Sequence, residues 1–408
     1  MSIYNNGEMN KLSSIIYSRV TDISKVCLHE IRMIFKDEGV LIFVVLLPLL
    51  YPLLYSWIYN NEVVHEVPVA VVDNSHSQLS RRFIRAYDAT PDAKVTYHCN
   101  SIEEAKRLVG HQEVYGILYF PADFNTRINR MQQANVSLYC NMGIILTYKA
   151  LYQAATAVAA DINAGIQVAV SPSYTTREEE ISTKPLDFDE VPIFNNTGGY
   201  GNFILPGVLV LILQQVLLLG VGMSMGTSME EKRLRRIGGM LGKPFGLGRI
   251  MIGRTLALFG FFTLAGTYVL LAVPKMFNFV HMIHAADFAL LFVPYLLACI
   301  FFAYTFSFFV RRREDVMLLA VFTSVPFLFM SGVSWPKSNI PEFWTYFSWL
   351  FPSTFGIQGF VKMNTLGAVA SDIIPEVKAL WIQAVIYFAV ACATSRWQIK
   401  QCCKPDAE

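Results

Sequence analysis

The chain has 408 residues, 54% of them hydrophobic and only 16% charged, with a net charge of +2. About 25% charged residues is usual for a soluble globular protein, so this composition excludes an ordinary member of that class. Whole-chain charge says little about partners, whereas its distribution, long apolar runs separated by Lys/Arg clusters, indicates a polytopic membrane protein.

Residues 1–38 read as an N-terminal segment whose part 19–37 is amphipathic. Val20, Ile23, Cys27, Ile31 and Ile34 recur at steps of three and four, with Arg19, Lys25, Arg32 and Lys36 elsewhere on the helix. That pattern suits a helix in the membrane interface. The first apolar run, 39–59, begins too far in for a cleavable leader and reads as an uncleaved span. It contains Pro48 and Pro52, which kink a helix unless neighbours re-satisfy the freed carbonyls.

Residues 60–202 form one large insertion. Short β-rich runs at 67–73, 94–99, 114–120 and 135–140 alternate with helical stretches, the last an Ala-rich one at 147–170. Repeated alternation of this kind predicts a compact α/β domain followed by a polar linker. Ser101 and Glu104 are spaced for a capping box. Cys99 and Cys140 end two predicted strands. They form a disulfide or two free buried thiols according to a strand order that the sequence does not state.

Five more apolar runs follow at 203–225, 250–273, 286–310, 316–333 and 377–394, each near the length needed to cross ~30 Å of hydrocarbon. The fold class is therefore a polytopic α-helical membrane protein, six transmembrane helices with an α/β extracytoplasmic domain between the first and second. The 227–249 loop holds Lys232, Arg233, Arg235, Arg236, Lys243 and Arg249, and Arg311, Arg312 and Arg313 follow on the same side. By the positive-inside rule these loops, both termini and the tail 396–408 are cytoplasmic, while 274–285 and 334–376 face outward.

Motifs for chemistry fail one by one. GGMLGK at 238–243 glances at a phosphate loop, but Gly238 and Gly242 are separated by three residues and Pro244 stands where Ser or Thr is required. His281, His284 and Asp287 have too few ligands for a firm metal site and read as interfacial side chains. Asp73, Ser75 and His76 follow the first strand, yet VVDNSHSQLS reads as a turn into a helix cap. The seven cysteines show no CxxC or zinc spacing. No catalytic residue and no metal site are therefore expected, and the chain is not expected to be an enzyme. The spans carry no Asp, Glu, Lys or Arg away from their ends, which argues against an intramembrane proton path. Gly222 and Gly226 form a small-xxx-small pair that allows close packing, within the chain or across a dimer.

Four stretches resemble one family in order along nearly the whole chain. They are the interfacial helix, FNNTGGYGNFILPGVLVLILQQ (194–215), MEEKRLRRIGGMLGKPFGLGRIMIGR (229–254), and FMSGVSWPKSNIPEFWTYFSWLFPSTFGIQGFVKMNTLGA (329–368). Together they resemble a membrane permease subunit of a type-2 ABC exporter, in the large-ectodomain bacterial multidrug-export group. One departure is that Gly226-Thr227 precede the charges and 234–237 lie where the family often has Gly-Thr.

The resemblance implies a permease that moves a hydrophobic or amphipathic substrate out of the cytoplasm or inner leaflet. It would sit in the bacterial plasma (inner) membrane. It implies pairing with a second permease copy or homologue and with separate ATPase subunits that hold ATP and magnesium, this chain binding no cofactor. Membrane lipids and a periplasmic adaptor are further implied partners, and nucleic acid is not. Glu230, Glu231, Arg233, Arg235 and Arg236 would couple to the ATPase within segment 227–249. Pro206, Gly207, Gly332, Pro336, Pro352 and Phe355 would shape the translocation path and an outer hairpin at 334–366. A lipid or lipid-linked glycan exporter of the same class, and a non-transporting scaffold or receptor with a partner-binding outer domain, remain alternatives.

Overall fold

Apolar runs of bilayer length become long helices, and the alternating insertion becomes a small sheet with helices on both faces. The computed structural model describes residues 3–170, 175, 193–195, 198–231, 245–310 and 312–402, with 3–16 and 402 described by backbone alone. The chain divides into two compact units, 61–192 and 1–60 with 193–408.

In the 61–192 unit, β1 (Val67–Asp73), β2 (Ala93–Cys99) and β3 (Gly116–Phe120) are parallel, and β4 (Ser137–Cys140) runs antiparallel to β3, in the order β2-β1-β3-β4. The helices α3 (Gln78–Asp88) and α4 (Ile102–Gly110) make the two crossovers, α5 (Phe124–Asn129) is short, and α6 (Ile145–Val170) is long. Period two explains why β1 is buried on both faces. Val67, Val69 and Val71 pack with Phe83 and Tyr87 of α3 and Leu151 of α6, whereas Ala70 and Val72 pack with Ala105 of α4.

Helix starts are built locally. Asp73 Oδ1 accepts from the Ser75 and His76 amides at 3.0 Å and its Oδ2 accepts from Ser80 Oγ at 2.7 Å, so the Asp73–His76 cluster is spent on the turn that leads to the Ser77 cap of α3. Ser101 caps α4 by accepting from the Glu104 amide at 3.2 Å, and the reciprocal Glu104 carboxylate bond goes one residue back, to Asn100 N.

Cys99 ends β2 and Cys140 ends β4, on opposite edges of the sheet. Three strand spacings of ~4.8 Å separate them, well beyond the ~7 Å Cα limit for a disulfide. Both are free thiols, and burial pushes the Cys140 thiol up to about 11. Mass spectrometry after iodoacetamide at pH 8 on the folded protein is expected to show slow labelling of Cys140, unchanged by prior reductant. A reductant-dependent gain at both cysteines would contradict this strand order.

The other unit is helical. It contains α1 (Ile3–Lys36) and α2 (Glu38–Ile58), then α7 (Tyr200–Glu230), α8 (Gly246–Met276), α9 (Ala285–Phe309), α10 (Arg313–Met330), α11 (Glu342–Ser348), α12 (Pro352–Thr365) and α13 (Ile374–Cys402). Among the described residues, five helices are long and apolar enough to cross a membrane: α2, α7, α8, α9 and α13. The run expected at 316–333 lies on α10, whose 18 residues include Arg313, Glu314 and Asp315 in the first turn, so its apolar part is shorter than the other five. The chain is thus a multi-pass helical membrane protein. Its central helix is α7, which packs against α2, α9, α10 and α12. Pro48 and Pro52 both sit inside α2, and a wide π turn at Ile42–Leu46 precedes them.

Candidate functional site

A charged junction forms where α1 meets the rest of the bundle. Of the apolar stripe read from the sequence only Ile34 is buried: Val20 is exposed, and Ile23, Cys27 and Ile31 are only half-buried. The buried residues are Asp22, Val26, Glu30 and Ile34, four apart, so two carboxylates share one face with two aliphatics. Burying a carboxylate demands a partner, and α8 supplies two. Arg249 Nη1 donates to Asp22 Oδ2 at 2.7 Å. Arg254 Nε lies 3.5 Å from Glu30 Oε2, and its guanidinium also sits 5.9 Å from the Tyr304 ring centre on α9. Gly253 between them lets the helices meet, since a Cβ there would lie 2.9 Å from Ile23 O.

A third acid, Asp37, caps α2 and joins α1 to two more helices. Its Oδ2 accepts from Thr227 Oγ1 of α7 at 3.0 Å and lies 3.4 Å from Arg313 Nη2 of α10. Arg313 in turn faces Glu230 Oε2 at 3.6 Å and Glu231 Oε1 at 3.7 Å, and its amide donates to Glu230 Oε1 at 3.2 Å. Gly226 and Gly222 make this approach possible. A Cβ on Gly226 would stand 3.1 Å from Arg313 N, and one on Gly222 2.7 Å from Val316. The small-xxx-small pair therefore packs against α10 of its own chain. Arg254, one turn into its span and almost fully buried, corrects the expectation that the spans hold ionisable groups only at their ends.

The opposite end of α7 holds the second set of expected residues. Pro206 and Gly207 are buried in α7, about 35 Å from Glu230 at a rise of 1.5 Å per residue. Gly207 faces Val333 and Ile357, so α7, the turn after α10 and α12 meet there. Gly332 has φ +86°, a left-handed turn that folds Lys337 back over it. Pro336 precedes a short 3₁₀ turn at Lys337–Asn339, Pro352 opens α12 as its first residue, and Phe355 is half-buried in the helical core. The structure brings Gly207, beside Pro206, against the turn after Gly332 and against Ile357 of α12. Pro352 and Phe355 lie nearer the start of α12, where Ser353 meets Gln214 further along α7, and Glu230 and Glu231 are at the other end of α7. Arg233, Arg235 and Arg236 lie outside the described residues, as does GGMLGK.

Between the two ends lies a polar lock. Gln214 Oε1 accepts from Ser353 N at 2.6 Å and its Nε2 donates to Ser353 Oγ at 3.2 Å. Tyr295 OH of α9 donates to Val210 O at 2.7 Å. These bonds tie α7 to α12 and α9 inside an apolar core. Gln214–Gln215 is the polar interruption in an apolar run that could have announced them. The acids of α1 gave no such signal.

His281 and His284 belong to the loop between α8 and α9, where His281 Nδ1 meets Asn364 Oδ1 at 3.0 Å. Asn364 Nδ2 donates to Val280 O at 3.0 Å and Val280 N donates to Asn202 Oδ1 at 2.8 Å, so the loop is pinned to α12 and α7. Burial first, and the Lys275 charge second, push the His281 pKa below its ordinary value, while the Asn364 bond opposes them. A lowered folded pKa means that the unfolded chain binds the proton more readily. The His281 contribution is complete above an unfolded pKa of about 6.5 and is lost as pH falls below it. Hydrogen exchange, corrected for intrinsic rates, is expected to show residues 278–284 less protected at pH 5.5 than at pH 7.5. Equal protection would contradict this.

Among the described residues no group of three His, Cys, Asp or Glu side chains could hold a metal. A family model described as "ABC-2 family transporter protein" matches residues 39–393. No curated protein and no solved structure matches the chain.

Proposed function

The chain belongs to the ABC-2 family of transporter proteins, and on that premise we propose that it works as an exporter permease driven through the charged junction. Membership makes it the membrane subunit of an ABC transporter and implies an ATPase subunit as partner. The finer reading is export of a hydrophobic or amphipathic substrate, by a pair of such permeases in a bacterial plasma membrane. ATP and magnesium are held on the ATPase.

The observation that carries the reading is Arg313. One guanidinium gathers Asp37, Glu230 and Glu231, so the charged end of α7, the start of α2 and the start of α10 are held together. An ATPase pressing on segment 227–249 would therefore push three helices at once, and the packed bundle would tilt with them.

Six crossings, with both termini cytoplasmic, fit the same geometry. Contacts run along α7 from Gly226–Arg313 to Gly207–Val333, so α10 and the turn after it traverse 19 residues of α7, about 28 Å. The C-terminal half of α13 returns to the junction end, where Ser395 Oγ meets Met251 Sδ at 3.4 Å and Gln398 Nε2 donates to Ser307 O at 3.1 Å. An even number of crossings is what returns the chain to the side of α1.

Reconstitution with the ATPase subunit tests the reading. The double variants Glu230→Ala/Glu231→Ala and Arg233→Ala/Arg236→Ala are expected to lose most substrate-stimulated ATP hydrolysis while the permease stays folded. Wild-type stimulation and transport in both would end the assignment of 227–249 as the coupling segment.

A further inference from the structure

The 61–192 unit contains a cavity of about 710 Å³ that the transport reading does not use. It lies between the α3/α6 face of the sheet, α5, and the connection 131–136. Phe83, Leu118, Phe124, Leu138 and Ile162 wall it. Two small residues one turn apart on α6, Ala155 and Ala159, leave the space that larger side chains would fill. Met131 sits in the left-handed region at φ +54°, where the chain turns out of α5 into 131–136, which forms one wall of the cavity. Met131 and Tyr152 both line the cavity and are largely exposed.

The chemistry of the lining selects a ligand. Pockets of ~300–1,000 Å³ hold drug-sized molecules. None of the lining residues is charged. α5 and α6 carry Arg127, Lys149 and Asp161, and α3 carries Arg82, which reaches Gly165 of α6; none of these lines the cavity. Its polar groups are four amides and two hydroxyls: Gln132, Gln133 and Asn135 on the connection 131–136, and Asn163, Thr156 and Tyr152 on α6. The amides of Gln132, Gln133, Asn135 and Asn163 stand at the exposed rim and the aliphatic and aromatic wall lies within, so an apolar body with an uncharged polar end finds both kinds of surface, whereas no lining side chain offers a countercharge.

We propose that this cavity is a binding site for a neutral amphiphile, its chain or ring body against Ala155, Ala159 and the sheet, and its hydroxyl or amide end among Gln132, Asn135 and Asn163. The proposal rests on this unit alone and is independent of how the junction couples to an ATPase.

The full-length chain in lipid nanodiscs is irradiated with a dodecanoyl monoglyceride bearing a diazirine at the chain end, and labelled peptides are mapped. Label is expected on 131–138 and 152–166 and is displaced by excess unlabelled monoglyceride. Dodecanoate carrying the same diazirine is expected to label these peptides at least ~5-fold less, because its carboxylate meets no cation. Ala155→Trp/Ala159→Trp, which fills the space, is expected to reduce labelling at least ~5-fold. Displacement by the unlabelled monoglyceride, measured on the parent chain, decides between site and surface labelling even if that variant misfolds. No label on these peptides, label that the monoglyceride does not displace, or equal labelling by the carboxylate would each overturn the proposal.

Discussion

Arg254→Ala is expected to destabilise the helical unit by about 3–5 kcal/mol, the usual cost of leaving one member of a buried ion pair without its partner. Glu30 and Arg254 are both almost completely buried, so water cannot replace what is lost. The alanine also removes the guanidinium from the face of Tyr304. The expectation differs for the paired change. Glu30→Gln with Arg254→Met removes both charges while keeping volume, and should recover most of the loss, because desolvation of the two ions offsets much of their attraction. Thermal unfolding in detergent, followed by loss of the monodisperse peak, reads both. A single variant as stable as the parent would mean that the pair is open to solvent.

Gly356→Val is the second large expected effect. A Cβ at Gly356 would fall 2.4 Å from two ring carbons of Tyr295, a fully enclosed side chain that holds Val210 O through its hydroxyl. Overpacking of this kind costs ~1–3 kcal/mol, and a displaced Tyr295 adds the ~1–3 kcal/mol of an unmade buried hydrogen bond. The sum, about 2–6 kcal/mol, should fall on the contact between α9, α12 and α7. Tyr295→Ala in the same background makes room for the valine, so the double variant is expected to be more stable than additivity predicts. Strict additivity would place the strain elsewhere.

The long helices were legible because 17–25 apolar residues in a row have few other uses, and their ends were missed by a few residues where polar turns continue the helix. α7 runs on through Thr227 and Glu230 because Asp37 and Arg313 receive those side chains, partners that local sequence cannot supply. The sheet was legible in its strands and silent in its order, and order is what keeps Cys99 from Cys140. The junction was legible only at Glu230 and Glu231. Periodicity treats an acid as an outward residue, which hides the burial of Asp22 and Glu30. Their burial depends on Arg249 and Arg254, more than two hundred residues away. Gln214 was hidden differently: one amide scarcely weakens an apolar run, and its partner Ser353 lies 139 residues on.

The central claim is that Arg313 binds the charged end of α7 to α2 and α10 so that force applied there moves the spans. The most direct measurement is substrate transported per ATP hydrolysed, in proteoliposomes holding the permease and its ATPase, for Arg313→Gln against the parent. Arg313, Glu230 and Glu231 are partly exposed, and the buried Asp37 keeps its hydrogen bonds from Thr227 Oγ1 and Val40 N, so the variant should fold and still bind the ATPase. The account predicts ATP hydrolysis that continues while the transport ratio falls at least ~10-fold, the equivalent of ~1.4 kcal/mol of lost coupling. A ratio equal to the parent's, with the ATPase bound, would contradict it.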